Sequence, residues 1–284
     1  MYAVTGVTGK VGGLVARALR EAGFPVRAIV RDREKGKAWA DLGCEVAVAD
    51  NMDKDGLTQA FAGAQGVFLM NAPNYDPAPG FPQTKAINEV AIAALRDAKP
   101  GNVVFLSTVG AHVSELSLLT NSKMTEEALR SLSIQVGLLR PAWFMENAAW
   151  DVEAARSGTI SCFLQPFDHP ISMIATADIG RTAAAMLRES WAGIRIVELE
   201  GPRRYSANDI AAGFSAALGR PVHLDAVPRD SWEGLFRSQG MKNPLPRMRM
   251  IDGFNEGWID FEGRGAEHRK GDTPLESVLK GLVS

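Results

Sequence analysis

Residues 4–13 read VTGVTGKVGG, four glycines and two threonines set between a short apolar stretch and an amphipathic run. Gly6, Gly9 and Gly12 follow the spacing Gly-x-x-Gly-x-x-Gly. Before them, Tyr2-Ala3-Val4-Thr5 reads as a brief strand. After them, Val11, Leu14, Val15, Ala18, Leu19 and Ala22 recur at helical spacing until Gly23 and Pro25 stop the pattern. A helix opens with backbone N–H groups that have no partner inside it and with a partial positive charge, which suits a pyrophosphate. Side chains would hold such a ligand off, so glycine is called for at the turn, at the approach and where helix meets strand. No Gly-Lys-Ser/Thr follows at the spacing of a P-loop. The stretch reads as a dinucleotide site rather than a bare turn.

The rest of the chain supplies the setting that site needs. Strand-like runs follow at Val26–Val30, Glu45–Ala49, Gly66–Met70, Val103–Leu106, Ile134–Leu139 and Ile194–Leu199. Helical patterns lie between most of them, at Glu34–Leu42, Lys54–Phe61, Gln83–Asp97, Lys123–Leu132 and Ile179–Arg188. Runs such as VFLM and VVFL lack polar alternation, as strands buried on both faces do. The expected fold is α/β: a doubly wound parallel sheet of the Rossmann type, with ligands at the carboxyl ends of its strands. After Gly201 the rhythm changes. Ser206 and Asp209 form a capping pair for a helix to about Leu218, followed by prolines, glycines and scattered aromatics. The expected division is a dinucleotide-binding domain at 1–147, to which 173–200 return, and a smaller substrate lobe at 148–172 and 201–284. Trp232, Phe236, Trp258 and Phe261 fit either the core of that lobe or the roof of an apolar pocket.

Composition narrows the function. The 284 residues are 46% hydrophobic and 23% charged with net charge −2, which offers no positive field for nucleic acid or a membrane surface. No apolar run approaches the roughly 18–20 residues of a membrane span, and no basic region followed by an apolar core marks secretion. The expected place is the cytoplasm. Cys44 and Cys162 stand in no metal or redox spacing and read as two unpaired thiols in a reducing compartment. His169, His223 and His268 are dispersed, so no metal is expected. The expected partner is a small-molecule substrate; whether a second copy of the chain joins as a homodimer stays open.

The tip of the second strand bears on which dinucleotide. A fold that prefers NAD places an acidic residue there for the ribose hydroxyls. Here AIVRDREKGK puts Arg31 first and Asp32 one residue later. Arginine at that tip would pair a 2′-phosphate, and Asp32 reads as the start of the next helix. NADP(H) is therefore expected ahead of NAD(H). Lys10, inside the loop, adds positive charge nearby.

The chain resembles the NmrA-like, atypical branch of the short-chain dehydrogenase/reductases. The resemblance covers nearly the whole chain: TGVTGKVG at 5–12, IVRD at 29–32, VAD at 48–50, VFLMNAP at 67–73, VVFLSTVGA at 103–111, LLRPAWFMEN at 138–147 and TADIG at 176–180. It implies a cofactor shell of Gly6, Thr8, Gly9, Lys10, Val11 and Gly12 at the phosphates, with Arg31 at the 2′-phosphate. Asp50 and Asn51 would face the adenine, and Asn71, Ala72 and Pro73 the adenosine ribose. Thr108 and Lys123 would approach the nicotinamide ribose, and Pro141, Trp143 and Phe144 the carboxamide end. Asp50 and Asn51 are also readable as turn residues before the next helix, and Trp143 and Phe144 as core aromatics.

One part of the wider group's pattern is missing. Its Tyr-x-x-x-Lys pair uses lysine to bring a tyrosine within range of acid catalysis. Four residues after Tyr2, Tyr75 and Tyr205 stand Gly6, Pro79 and Asp209, so no pair exists. Lys123 stands where the lysine is expected, with Leu119 in the tyrosine slot. Two functions survive. One is hydride transfer from NADPH to an acceptor that needs little acid help, a quinone, dye, imine or enone, with Lys123, Thr108 and His112 as the candidate catalytic residues. The other is a non-catalytic NADP(H)-binding redox sensor of the NmrA type.

Overall fold

Strands that are apolar throughout demand cover on both faces. In the computed structural model, which describes residues 1–284, helices supply it. The first half alternates without interruption: β1 (Tyr2–Val4), α1 (Lys10–Glu21), β2 (Val26–Val30), α2 (Arg33–Asp41), β3 (Glu45–Val48), α3 (Lys54–Phe61), β4 (Gly66–Leu69), α4 (Pro82–Ala98), β5 (Asn102–Leu106), α5 (Thr120–Leu129) and β6 (Gln135–Pro141). There follow β7 (Trp143–Phe144), α6 (Val152–Ser157), β8 (Thr159–Cys162), β9 (Ile171–Ile174), α7 (Thr176–Arg188) and β10 (Ile194–Glu200). The last third holds β11 (Arg204–Tyr205), α8 (Ala207–Leu218), β12 (His223–Ala226), α9 (Trp232–Ser238), α10 (Leu245–Glu256), β13 (Glu267–Lys270) and α11 (Leu275–Val283).

Eight strands form one parallel sheet in the order β3-β2-β1-β4-β5-β6-β10-β13. The order reverses between β1 and β4, the switch point at which such sheets open a crevice. One face packs on α1 and α7 through Val11, Val15, Leu19, Ile179, Ala183 and Leu187. The other packs on α3, α4 and α5 through Leu57, Phe61, Ile92, Leu95 and Leu129. Gly180 lets α7 lie directly on α1, since a Cβ there would come within 2.6 Å of Leu14 Cβ.

The smaller lobe carries the three-stranded sheet β11-β9-β7 and the pair β12-β8. Its core includes Tyr205, Phe214, Phe254, Leu275 and Leu279. The capping pair before α8 is present: Ser206 Oγ accepts from Asp209 N, and Asp209 Oδ2 accepts from Ser206 N at 2.8 Å.

One element departs from the expected division. Glu267–Lys270, placed by its sequence position in the lobe, pairs in parallel with β10 and becomes the last strand of the main sheet. Its sequence EHRK has no apolar alternation. It is held as an edge strand by charge, with Glu267 on Arg195 at 2.5 Å, Arg269 on Glu189 at 3.1 Å, and His268 and Lys270 on Glu200 at 3.0 and 3.2 Å. No helix is long and apolar enough to cross a membrane.

Candidate functional site

The glycine loop runs from the tip of β1 into α1. Thr5 Oγ1 donates to Phe68 O at 3.1 Å and accepts from Met70 N at 3.0 Å, which ties the loop to the end of β4 across the switch point. Gly6 has φ +65°, and a Cβ there would strike Met70 Sδ at 2.5 Å. A Cβ on Gly12 would lie 2.6 Å from Thr5 O and closer still to Gly6 O. Both glycines are thus required by the protein itself. Gly9 is different: its Cβ would meet only Gly6 O, at 3.3 Å. It caps α1 with extended backbone and no side-chain cap. Gly9 N donates to Gly6 O and Gly13 N to Gly9 O, but no protein acceptor takes the amides of Lys10, Val11 or Gly12. Three free amides therefore point out of a helix start with exposed Thr8, Gly9 and Lys10 around it, as an anion site requires.

At the tip of β2, Asp32 and Arg31 stand in different surroundings. Asp32 caps α2, its Oδ1 accepting from Glu34 N at 3.0 Å. Arg31 is exposed, and its guanidinium has no protein partner. The carboxylate that could have served a ribose is occupied by the backbone, while the cation stands free.

Along the carboxyl ends of β2 to β6 lies a cavity of about 1200 Å³, closed from the far side by the lobe. That exceeds the range of roughly 300–1,000 Å³ for a single drug-sized ligand. Its wall begins at Arg31, Asp50 and Asn51, passes Asn71, Ala72 and Pro73, continues at Thr108, and reaches Trp143 and Phe144. These nine candidates are brought together. Asp50 also makes the expected turn contact, accepting from Met52 N at 3.0 Å. Asn71 is braced by Thr125, to which its Nδ2 donates at 2.8 Å. Trp143 packs edge-on against Phe254 at 5.0 Å, so it belongs both to the core and to the wall.

Other candidates lie off the wall. Gly6, Thr8, Gly9, Lys10, Val11 and Gly12 border the cavity from β1, between the wall-forming tips of β2 and β4, without lining it. Pro141 is buried at the end of β6, one residue short of the wall. Lys123 sits on α5, which begins three residues earlier than the sequence pattern suggests, and its Nζ donates to Val113 O at 2.9 Å. The ammonium secures the segment after β5 and does not line the cavity. Leu119, in the vacant tyrosine slot, does line it. His112 is exposed to solvent outside the wall, with Glu262 as its charged neighbour. Trp232 and Phe236 are lobe core, the first edge-on to Phe163 and the second stacked with it, and neither they nor Trp258 and Phe261 roof the cavity. Tyr75, Trp150, Phe163 and Phe254 supply aromatic wall instead.

Sequence reasoning missed four features. Beneath the site, buried Arg140 holds Glu126 through paired bonds of 2.8 and 2.7 Å and Glu262 at 2.7 Å, while Ser107 Oγ donates to Glu126 at 2.5 Å. Burial works against the Arg140 charge, but these carboxylates outweigh it and keep the guanidinium fully ionised. On the wall, burial pushes the Asp151 carboxyl up to about 6 and the Cys162 thiol up to about 11. From the lobe, Arg247 reaches the wall half-buried, and burial lowers its pKa. The rim is fastened by Asp76, whose carboxylate accepts from Lys242 N at 2.9 Å and Asn243 N at 2.6 Å, joining the segment after β4 to the lobe.

Comparison with known proteins agrees with this architecture. The model of the NmrA-like family matches residues 2–257. An NAD(P)H azoreductase from Xenophilus azovorans is 26% identical over 86% of the chain and 83% of its own length. The crystal structure of an NADPH-dependent quinone oxidoreductase from Escherichia coli, complexed with NADPH, is 25% identical and superposes with a TM-score of 0.82 over 100% of both chains. A Citrobacter triphenylmethane reductase complexed with NADP(H), 23% identical, has the same fold, with a TM-score of 0.81 over 99% of this chain and 100% of its own.

Proposed function

The chain belongs to the NmrA-like family, and on that premise we propose that it is an NADPH-dependent oxidoreductase acting on a small, largely apolar acceptor such as a quinone, dye, imine or conjugated enone. The observation that carries the reading is a helix start with three free amides beside a cavity too large for one small ligand. The residues present fit the nucleotide. Lys10, Val11 and Gly12 amides would take the pyrophosphate, and Arg31 the 2′-phosphate that Asp32, engaged as a cap, cannot repel by approaching. Asp50 and Asn51 would border the adenine, and Asn71 to Pro73 its ribose. When bound, the reduced nicotinamide supplies the hydride.

The chain's remaining task is positioning and exclusion of water. Of the 42 wall residues 26 are hydrophobic, so an apolar acceptor is desolvated as it enters. A two-electron reduction of a quinone also consumes a proton. Thr108 carries an exchangeable proton on the wall and Asp151 carries one below about pH 6, whereas His112 lies outside the wall and the Lys123 ammonium is bonded to Val113 O. This apolar space has no use in a redox sensor that binds nucleotide alone, which favours the enzyme. The test is NADPH oxidation followed by absorbance against quinones, azo and triphenylmethane dyes, and imines. Turnover with at least one of these classes is expected. Tight NADPH binding with no turnover on any of them would replace the enzyme with the sensor.

A further inference from the structure

The cavity wall contains two cationic side chains, Arg31 at the nucleotide end and Arg247 on α10 of the lobe. Most other arginines of the fold's interior and its seams are answered by carboxylates: Arg140 by Glu126, Arg195 by Glu267, Arg229 by Asp252. Arg247 is not. Its guanidinium stacks on the ring of Phe236, with Cζ 4.4 Å from the centroid, and Phe236 is fully buried. That fixes one face of the group from behind. None of its five N–H donors finds a protein acceptor, and no carboxylate lies close enough to act on its charge. Asp151, a carboxyl of the same wall, is governed by burial alone, with no charged neighbour acting on it.

We propose that Arg247 is the binding site for an anionic group on the acceptor, so that the substrate is a planar apolar molecule carrying a carboxylate or sulfonate. This deepens the oxidoreductase reading and rests on it. The placement is consistent with such a molecule. Tyr75 and Trp150 both line the cavity, yet are 49% and 66% exposed, so they mark its mouth. Tyr75 is the ionisable neighbour of Arg247. The charged end of the substrate would sit at that mouth. Its apolar body would run inward past Met250 and Phe254, toward the nicotinamide side of the cavity at Thr108. A half-buried donor without a partner is costly, and an incoming anion repays that cost with a charge-assisted bond that a neutral acceptor cannot make. Arginine suits the task because it stays charged when partly desolvated and presents a planar fork to two oxygens.

The experiment compares naphthoquinone with naphthoquinone sulfonate on protein saturated with NADP⁺, where no turnover occurs. Binding is read by quenching of tryptophan fluorescence, since Trp143 and Trp150 lie on the wall. Arg247→Gln should weaken the sulfonate by about 10- to 100-fold, the value of one charge-assisted contact, and leave the neutral quinone within about twofold. Arg247→Lys should recover part of the loss. In the unaltered protein, raising the salt concentration should weaken the sulfonate and spare the neutral quinone, which tests the charge without any variant. Equal losses for both quinones would make Arg247 a packing residue, and no loss for either would remove it from the site; each result overturns the proposal. The oxidoreductase reading fails separately, if wild-type protein does not oxidise NADPH with either quinone.

Discussion

Replacing Arg31 by alanine isolates the preference for one nucleotide from everything else the site does. The side chain is exposed and bonds to no protein group, so its loss should change stability by no more than about 0.5 kcal/mol. What it forfeits is the bond to the 2′-phosphate, worth about 1.5–3 kcal/mol for a charged pair. At about 1.4 kcal/mol per decade, kcat/KM for NADPH should fall about 10- to 100-fold. For NADH, which lacks that phosphate, it should stay within about twofold. Steady-state kinetics with both nucleotides at a fixed acceptor concentration gives the ratio directly. Asp32→Ala is the natural control: it removes a helix cap worth about 1 kcal/mol and should leave the ratio unchanged. An Arg31→Ala enzyme that keeps its preference, or an Asp32→Ala enzyme that changes it, would refute the assignment of roles at the tip of β2.

Three further outcomes follow from particular contacts. Gly12→Ala should be severely destabilised in thermal denaturation, because its Cβ meets backbone oxygens of Thr5 and Gly6, whereas Gly9→Ala should melt near the parent and lose affinity in a nucleotide titration. Asp151 is protonated more readily in the folded chain, about 6 against 3.8, so stability present at acid pH is lost as pH rises through that window. Asp151→Asn should therefore raise denaturant stability near neutral pH by up to about 3 kcal/mol, with no gain well below pH 4. Glu126→Gln leaves buried Arg140 with only the partly exposed Glu262, and should cost about 3 kcal/mol, the low end for a broken buried pair, by chemical denaturation.

Local chemistry made the nucleotide end legible. Strand, glycine loop and helix are contiguous, the β2 tip is a four-residue motif, and the cap of α8 is set by Ser206 and Asp209 three residues apart. The sheet's apolar strands announced themselves by lacking polar alternation. β13 did not, because an edge strand held by ion pairs needs no apolar residues. The acceptor end was illegible for a different reason. Asp151, Cys162 and Arg247 come from three segments of the chain with no mutual spacing, and each becomes unusual only through burial in a shared cavity. Lys123 shows the converse limit. Its position in the family pattern was readable, but its bond to Val113 O depends on how the segment after β5 folds back, which no motif encodes.

The account rests on unbonded amides at the start of α1 receiving the pyrophosphate. Resolved backbone N–H resonances of Lys10, Val11 and Gly12, followed during titration with NADP⁺, test this most directly. All three should shift saturably with one common dissociation constant, while amides inside α1 beyond its first turn move little. Saturable nucleotide binding that leaves these three unmoved would place the phosphates elsewhere and contradict the account.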